Sequence, residues 1–136
     1  MKAKKITSVE ISNTSWGLCR FEDIIRHKLI LYRRGRIKHL LYNGLSDSPI
    51  QEHSHAINAE EMEAFFERLV SEYKVQDWEP DYSVDVCDGM HWEIMIRHSD
   101  HTIRKIKGTV EPPPRGKKLR EDIYKLADYV VEPWLF

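Results

Sequence analysis

Cysteine is scarce: the 136 residues hold two, Cys19 and Cys87, and no Cys-x-x-Cys pair. A small disulfide-stapled secreted domain carries more, so both read as reduced thiols of a cytoplasmic protein. Long apolar runs are missing as well. Nothing approaches the roughly twenty residues of a membrane-spanning helix, and Met1-Lys2-Ala3-Lys4-Lys5 is followed by no signal-peptide core. Net charge is almost nil, with 21 Lys and Arg against 22 Asp and Glu, so no global field draws the chain to nucleic acid or membrane. There is no Gly-rich phosphate loop, no Gly-x-Ser-x-Gly elbow and no local nucleophile signature, and the chain therefore does not read as an enzyme.

What is present is the composition of a folded domain: 41% hydrophobic and 32% charged residues. At this length a chain buries about two-thirds of its unfolded surface without metal or disulfide, so residues 1–136 are expected to form a single domain. Asn58-Ala59-Glu60-Glu61 has the spacing of a capping box. Behind it Met62, Phe65, Phe66, Leu69, Val70 and Tyr73 form one apolar stripe at helical period. A second helix follows Pro112-Pro113-Pro114, with Leu119, Ile123, Leu126, Ala127 and Val130 on one face. Lys117 and Lys118 oppose the dipole at its start.

The remainder reads as strands. Residues 29–32 and 37–42 flank Arg33-Arg34-Gly35-Arg36, a hairpin turn in which glycine can take positive φ. Trp92, Ile94 and Ile96 alternate with wetter neighbours, and 102–107 returns as a second hairpin. Residues 8–12, 50–57 and 82–87 are shorter strand candidates, Asp88-Gly89 is a turn, and residues 13–28 show no readable local pattern. The expected fold is α+β: an antiparallel sheet of about five to seven strands with two amphipathic helices packed on one face. The two halves share an order of strands, loop and helix, which suggests a degenerate duplicated β-β-β-α unit, with chance recurrence as the alternative.

Charge is segregated along the chain although it sums to −1. Residues 1–39 carry a net +7, residues 40–100 a net −11, and residues 101–136 a net +3. Such blocks either polarise the surface or pair with each other in the fold. Lys28, Arg33, Arg34, Arg36 and Lys38, with Tyr32 and Tyr42 close by, form a basic hairpin that could fork onto phosphates and stack on bases. Without an RNA- or DNA-binding motif, it also reads as a soluble turn guarded against edge pairing.

His53 and His55, two apart on a strand, point the same way, and Cys87 and His91 could add two further ligands for zinc. Seven histidines in this length will also place some close together by chance. Asp77, Glu79, Asp81, Asp85, Asp88 and Glu93 gather carboxylates that read as a solvated acidic loop rather than a magnesium or acid–base site. The chain ends in Pro133-Trp134-Leu135-Phe136, an apolar tip that folds back or enters an interface, including one between copies of the chain.

These features converge on a protein that works by binding, without a cofactor. An acidic helix carrying Glu60, Glu61, Glu63 and Glu67, together with Trp134 and Phe136, would contact a protein partner in the manner of a small inhibitor or immunity protein. The alternative is a nucleic-acid-binding module using the 28–38 hairpin. A metal site or enzyme on His53, His55, Cys87 and His91 is the third reading.

Overall fold

The computed structural model describes residues 5–16, 24–43, 45, 47–84, 89–109 and 112–127. The chain runs β1 (Ile6–Trp16), β2 (Ile24–Tyr32), β3 (Arg36–Asn43), β4 (Gln51–Ala56) and α1 (Ala59–Ser71). A 3-10 turn (Val75–Asp77) precedes β5 (Asp81–Tyr82), β6 (Gly89–His98), β7 (Ile103–Thr109) and α2 (Gly116–Leu126). All seven strands share one sheet in the order β4-β3-β2-β1-β6-β7-β5. Every neighbouring pair is antiparallel except the short edge pair of β5 with β7, which is parallel. The fold is α+β, with seven strands and two helices among the described residues. Of the 82–87 strand candidate, Tyr82 lies in β5 (Asp81–Tyr82), Ser83 and Val84 follow it outside any strand, and residues 85–87 lie outside the described residues. In the sheet Val9–Ile11 lies in the central strand and β5 at an edge.

Register explains why one face is buried. Residues directly opposite in a ladder point the same way, so Ile37, Leu31, Val9 and Ile96 form one row and Leu29, Ile11, Ile94 and Ile106 the next. These eight join Met62, Phe65, Phe66 and Leu69 of α1 and Leu119 and Ile123 of α2 in one apolar core. Val70, placed on the helical stripe by its spacing, is instead 44% exposed. The stripe is narrower than a full hydrophobic face because α1 meets the sheet along Met62, Phe65, Phe66 and Leu69.

Helix α1 starts as its sequence requires, with the Asn58 side chain accepting from the backbone N–H of Glu60 and Glu61 at 2.9 and 3.0 Å. Helix α2 has no such cap: Arg115 precedes it in the left-handed region at φ 57. One of the two lysines that weaken its start finds carboxylates elsewhere. Lys118 pairs with Glu72, at the end of α1, and with Asp122 one turn on. The buried Tyr73 hydroxyl donates to Asp122, which draws the two helices together. The 28–38 hairpin closes over Gly35, at φ +111, where an added Cβ would lie 2.7 Å from the Ile57 carbonyl oxygen. Only glycine suits a position that combines this backbone conformation with so close an approach.

Candidate functional site

The basic hairpin and the acidic helix meet. The Arg33 guanidinium forks onto Glu63, with Nε and Nη2 donating to its two oxygens at 2.8 and 2.6 Å. Nη2 also donates to Glu67 at 2.5 Å. Nη1 donates to the Ile6 carbonyl at 3.0 Å, and the group lies over the Phe66 ring. The bond from Arg33 holds the Glu63 carboxyl below its ordinary value, and the Arg33 pKa rises in return. Glu63 and Glu67, read from the sequence as partner contacts, and Arg33, read as a phosphate contact, are therefore joined to one another. This bidentate pair is the strong form of an ion pair, and the +7 and −11 blocks partly neutralise each other across it. Glu60 and Glu61 remain exposed on the first turn of α1.

The other candidate cations stand on the sheet face opposite the helices. Register sets Lys38, Ile30, Glu10, Met95 and Lys105 in one row. The next row is Glu52, Leu40, Lys28, Ser12, Glu93, Lys107 and Asp81. Arg36, Tyr32, Ser8 and Arg97 form the row on one side, and Tyr42, Arg26, Thr14 and His91 the row on the other. Seven Lys or Arg face four carboxylates. Three of them pair with carboxylates on this face, at contact distances of 3.8 Å for Lys28–Glu10, 3.7 Å for Lys38–Glu52 and 3.8 Å for Lys107–Asp81. A shallow concavity of about 360 Å³ opens in the middle of this face, among Glu10, Arg26, Lys28, Glu93 and Lys107. Sequence reasoning missed Arg26, Arg97, Lys105 and Lys107 because they are distant in the chain and meet only through strand order. The period-2 alternation around Ile94, Ile96 and Ile106 was the signal that could have found three of them.

Both tyrosines of the hairpin already carry a cation. Arg34 lies 5.7 Å from the Tyr32 ring centroid, while Arg26 and Lys28 lie 5.7 and 5.4 Å from that of Tyr42. Their faces are thus occupied from within the molecule. Arg36 donates to the Ser54 hydroxyl at 2.6 Å.

Among the described residues the suggested metal set does not come together. His53 and His55 do share a face, as their spacing requires, but that face carries the core. His91 lies on β6 on the opposite face, and Cys87, like Trp134 and Phe136, lies outside the described residues. Among the acids, Asp81 accepts from Ser83 N–H and pairs with Lys107, while Asp85 and Asp88 fall outside the described residues. Among the described residues no three His, Cys, Asp or Glu side chains converge on a common point, and no helix is long and apolar enough to cross a membrane.

Histidine collects elsewhere. His39 faces the core side of β3 opposite Leu29 and His53, with His27 diagonal to it on β2. The His39 and His27 ring centroids are 5.6 Å apart and those of His39 and His53 6.4 Å. His39 is 7% exposed. Burial, followed by the neighbouring His27, His53 and His55, lowers its pKa from 6.5 to about 4. The native ring thus stays neutral while the unfolded ring takes up a proton below pH 6.5, and this contribution to stability is complete above that pH and lost towards pH 4. Urea denaturation at pH 7.5 and 4.5 should show a loss of roughly 2–3 kcal/mol from this group. A His39→Leu variant is expected to lack that increment; equal losses in both proteins would show that His39 is not its source.

Comparison with known families finds no family model that matches the chain, and comparison with curated proteins finds no match either.

Proposed function

We propose that this protein works by binding another protein through the sheet face that neither helix covers, as a stoichiometric inhibitor- or immunity-type domain. The observation that carries the reading is the composition of that face. Arginine, lysine and tyrosine are interleaved with Ile30, Leu40 and Met95 and with a minority of carboxylates. Protein interfaces mix apolar, aromatic and arginine contacts in this way. A phosphate-tracking surface is a purer cationic stripe with open aromatic platforms. Here Tyr32 and Tyr42 are capped by cations and Arg33 is turned towards α1. The excess of positive charge favours a partner with an acidic patch, for which complementary charge raises association rate and selectivity.

The test is affinity capture from native lysate, with and without nuclease, using wild type, an Arg97→Glu/Lys105→Glu variant and a Glu60→Lys/Glu61→Lys variant. All four residues are exposed, so the sheet-face variant should melt within about 2 °C of wild type, while the helix variant, which sets two lysines against the dipole of the first turn of α1, should melt several degrees lower and still fold. The expected result is a stoichiometric protein partner that survives nuclease, binds the sheet-face variant at least tenfold more weakly and binds the helix variant normally. Capture indifferent to the sheet-face reversal, or recovery of nucleic acid alone, overturns the reading.

A further inference from the structure

We propose that β4 is an interface between two copies of this chain, which pair antiparallel along it about a two-fold axis at Ser54 and join their sheets into one. Backbone polarity shows what β4 offers. The Ile57 N–H donates to the Gly35 carbonyl at 2.9 Å, and backbone groups alternate sides along a strand. Gln51, His53 and His55 therefore turn theirs towards β3, opposite Leu41, His39 and Ile37. Glu52, Ser54 and Ala56 turn theirs outward, and among the described residues nothing answers them. Sheet edges are ordinarily blunted by lysine, proline, a bulge or a very short outer strand. At the far edge β5 is only two residues long. β4 has six residues, Gln51-Glu52-His53-Ser54-His55-Ala56, in unbroken register with β3 and without lysine or proline, and all but His55 are exposed.

The occupant that fits this edge is the edge itself. Pairing about Ser54 sets Ser54 against Ser54 of the second copy and Glu52 against its Ala56, so each outward residue both donates and accepts. Sliding the copies by two residues either way leaves Glu52 or Ala56 with no counterpart in the strand. Charge agrees with the same register. Arg36 stands across from Ala56, and its Nη1 donates to the Ser54 hydroxyl at 2.6 Å. Its guanidinium therefore lies over the edge strand, beside a side chain that is a single methyl. Glu52 of the second copy arrives at that methyl, within reach of Arg36, and keeps its own Lys38 at 3.7 Å. The one charge on β4 thus opposes a cation of the other copy and never itself.

The full-length protein is sedimented from about 5 to about 500 µM, since a two-strand contact is smaller than a standard interface and a Kd of about 10–100 µM is expected. The mass should rise from one chain to two and saturate there. Ser54→Pro removes an N–H that the monomer does not use, so it should keep the native circular-dichroism spectrum and stay monomeric throughout. Glu52→Arg, which sets arginine against Arg36 of the other copy, should weaken pairing about tenfold, and Arg36→Glu/Glu52→Arg should recover most of the loss. Ser54→Cys should give, on mild oxidation, a disulfide between the two introduced thiols, whose Cα atoms lie about 5.5 Å apart in such a pair. Gln51→Cys should not, because the register sets Gln51 across from Ile57. The proposal is overturned if wild type stays monomeric over the whole range or grows beyond two copies without saturating. It is equally overturned if the dimer survives both Ser54→Pro and Glu52→Arg, as one built on another surface would.

Discussion

Replacing Arg104 with methionine is expected to cost about 4 kcal/mol, because one guanidinium holds the turn after α1 to the sheet. Arg104 lies on the core face of β7, opposite Ile96, where an aliphatic residue would otherwise continue the row. Its Nη1 donates to the carbonyls of Val75 and Gln76 at 3.0 and 2.5 Å, and its Nη2 donates to the Trp78 carbonyl. Those residues form the 3-10 turn and its end, and Val75 and Trp78 are themselves core residues. Hydrogen bonds from a charged donor contribute about 1.5–3 kcal/mol each, and methionine fills the stem's space while removing all three. Arg104→Lys should recover less than half, because an ammonium cannot reproduce the planar fork. The readout is the urea midpoint at unchanged m value, with a fall in melting temperature on the order of 10 °C. A loss under about 1 kcal/mol would mean that solvent serves those carbonyls as well as Arg104 does.

Gly108→Ala should be more damaging still. A Cβ at Gly108 would lie 2.3 Å from Cζ2 and 2.5 Å from Cε2 of Trp92. Trp92 is 2% exposed and stacks on Tyr82 at 6.1 Å between centroids, so the indole has nowhere to retreat. Ordinary overpacking costs about 1–3 kcal/mol. Displacing a fully packed indole should exceed that range and leave the variant largely unfolded or insoluble. The second variant that makes the cause visible is Gly108→Ala/Trp92→Phe, whose smaller ring vacates the contested space. It should be more stable than Gly108→Ala alone, a sign of direct coupling between the two positions. If Trp92→Phe fails to relieve the alanine, the clash is not the cause.

Much of the architecture is legible in local pattern. The Asn58 cap, the Met62-Phe65-Phe66-Leu69 stripe, the Gly35 turn and the alternation from Trp92 to Ile96 each declare their element within a few residues. The segment 13–28 is the instructive failure. Its inward positions on β1 and β2 are Asn13 and His27, polar residues that break the apolar alternation, so the ends of both long strands look like loop. Helix α2 was legible by its apolar face and obscured at its start, where Glu72 supplies from a distance what the local sequence withholds.

The candidate sites were less legible, for a physical reason. Strand register is non-local information: His39 meets His53 and His27, and Arg33 meets Glu63, only once strands and helix are docked. Spacing along the chain correctly set His53 and His55 on one face. It could not show that His91 belongs to the other face of the sheet, nor that the acidic and basic blocks are mutual counterions at Arg33.

The place of β1 has a consequence for how the chain is made. It is the middle strand, bordered on one side by β2, its successor in sequence, and on the other by β6, so that Val9 waits for Ile96. At the usual pace of translation, this is on the order of ten seconds during which a nascent sheet of β1 to β4 leaves the ribosome with its best strand bare along one side. A long apolar strand edge is the kind of template that recruits other chains. The protein is therefore most vulnerable as an unfinished polypeptide: a stall or a premature stop between α1 and β6 yields an adhesive fragment rather than a smaller version of the fold.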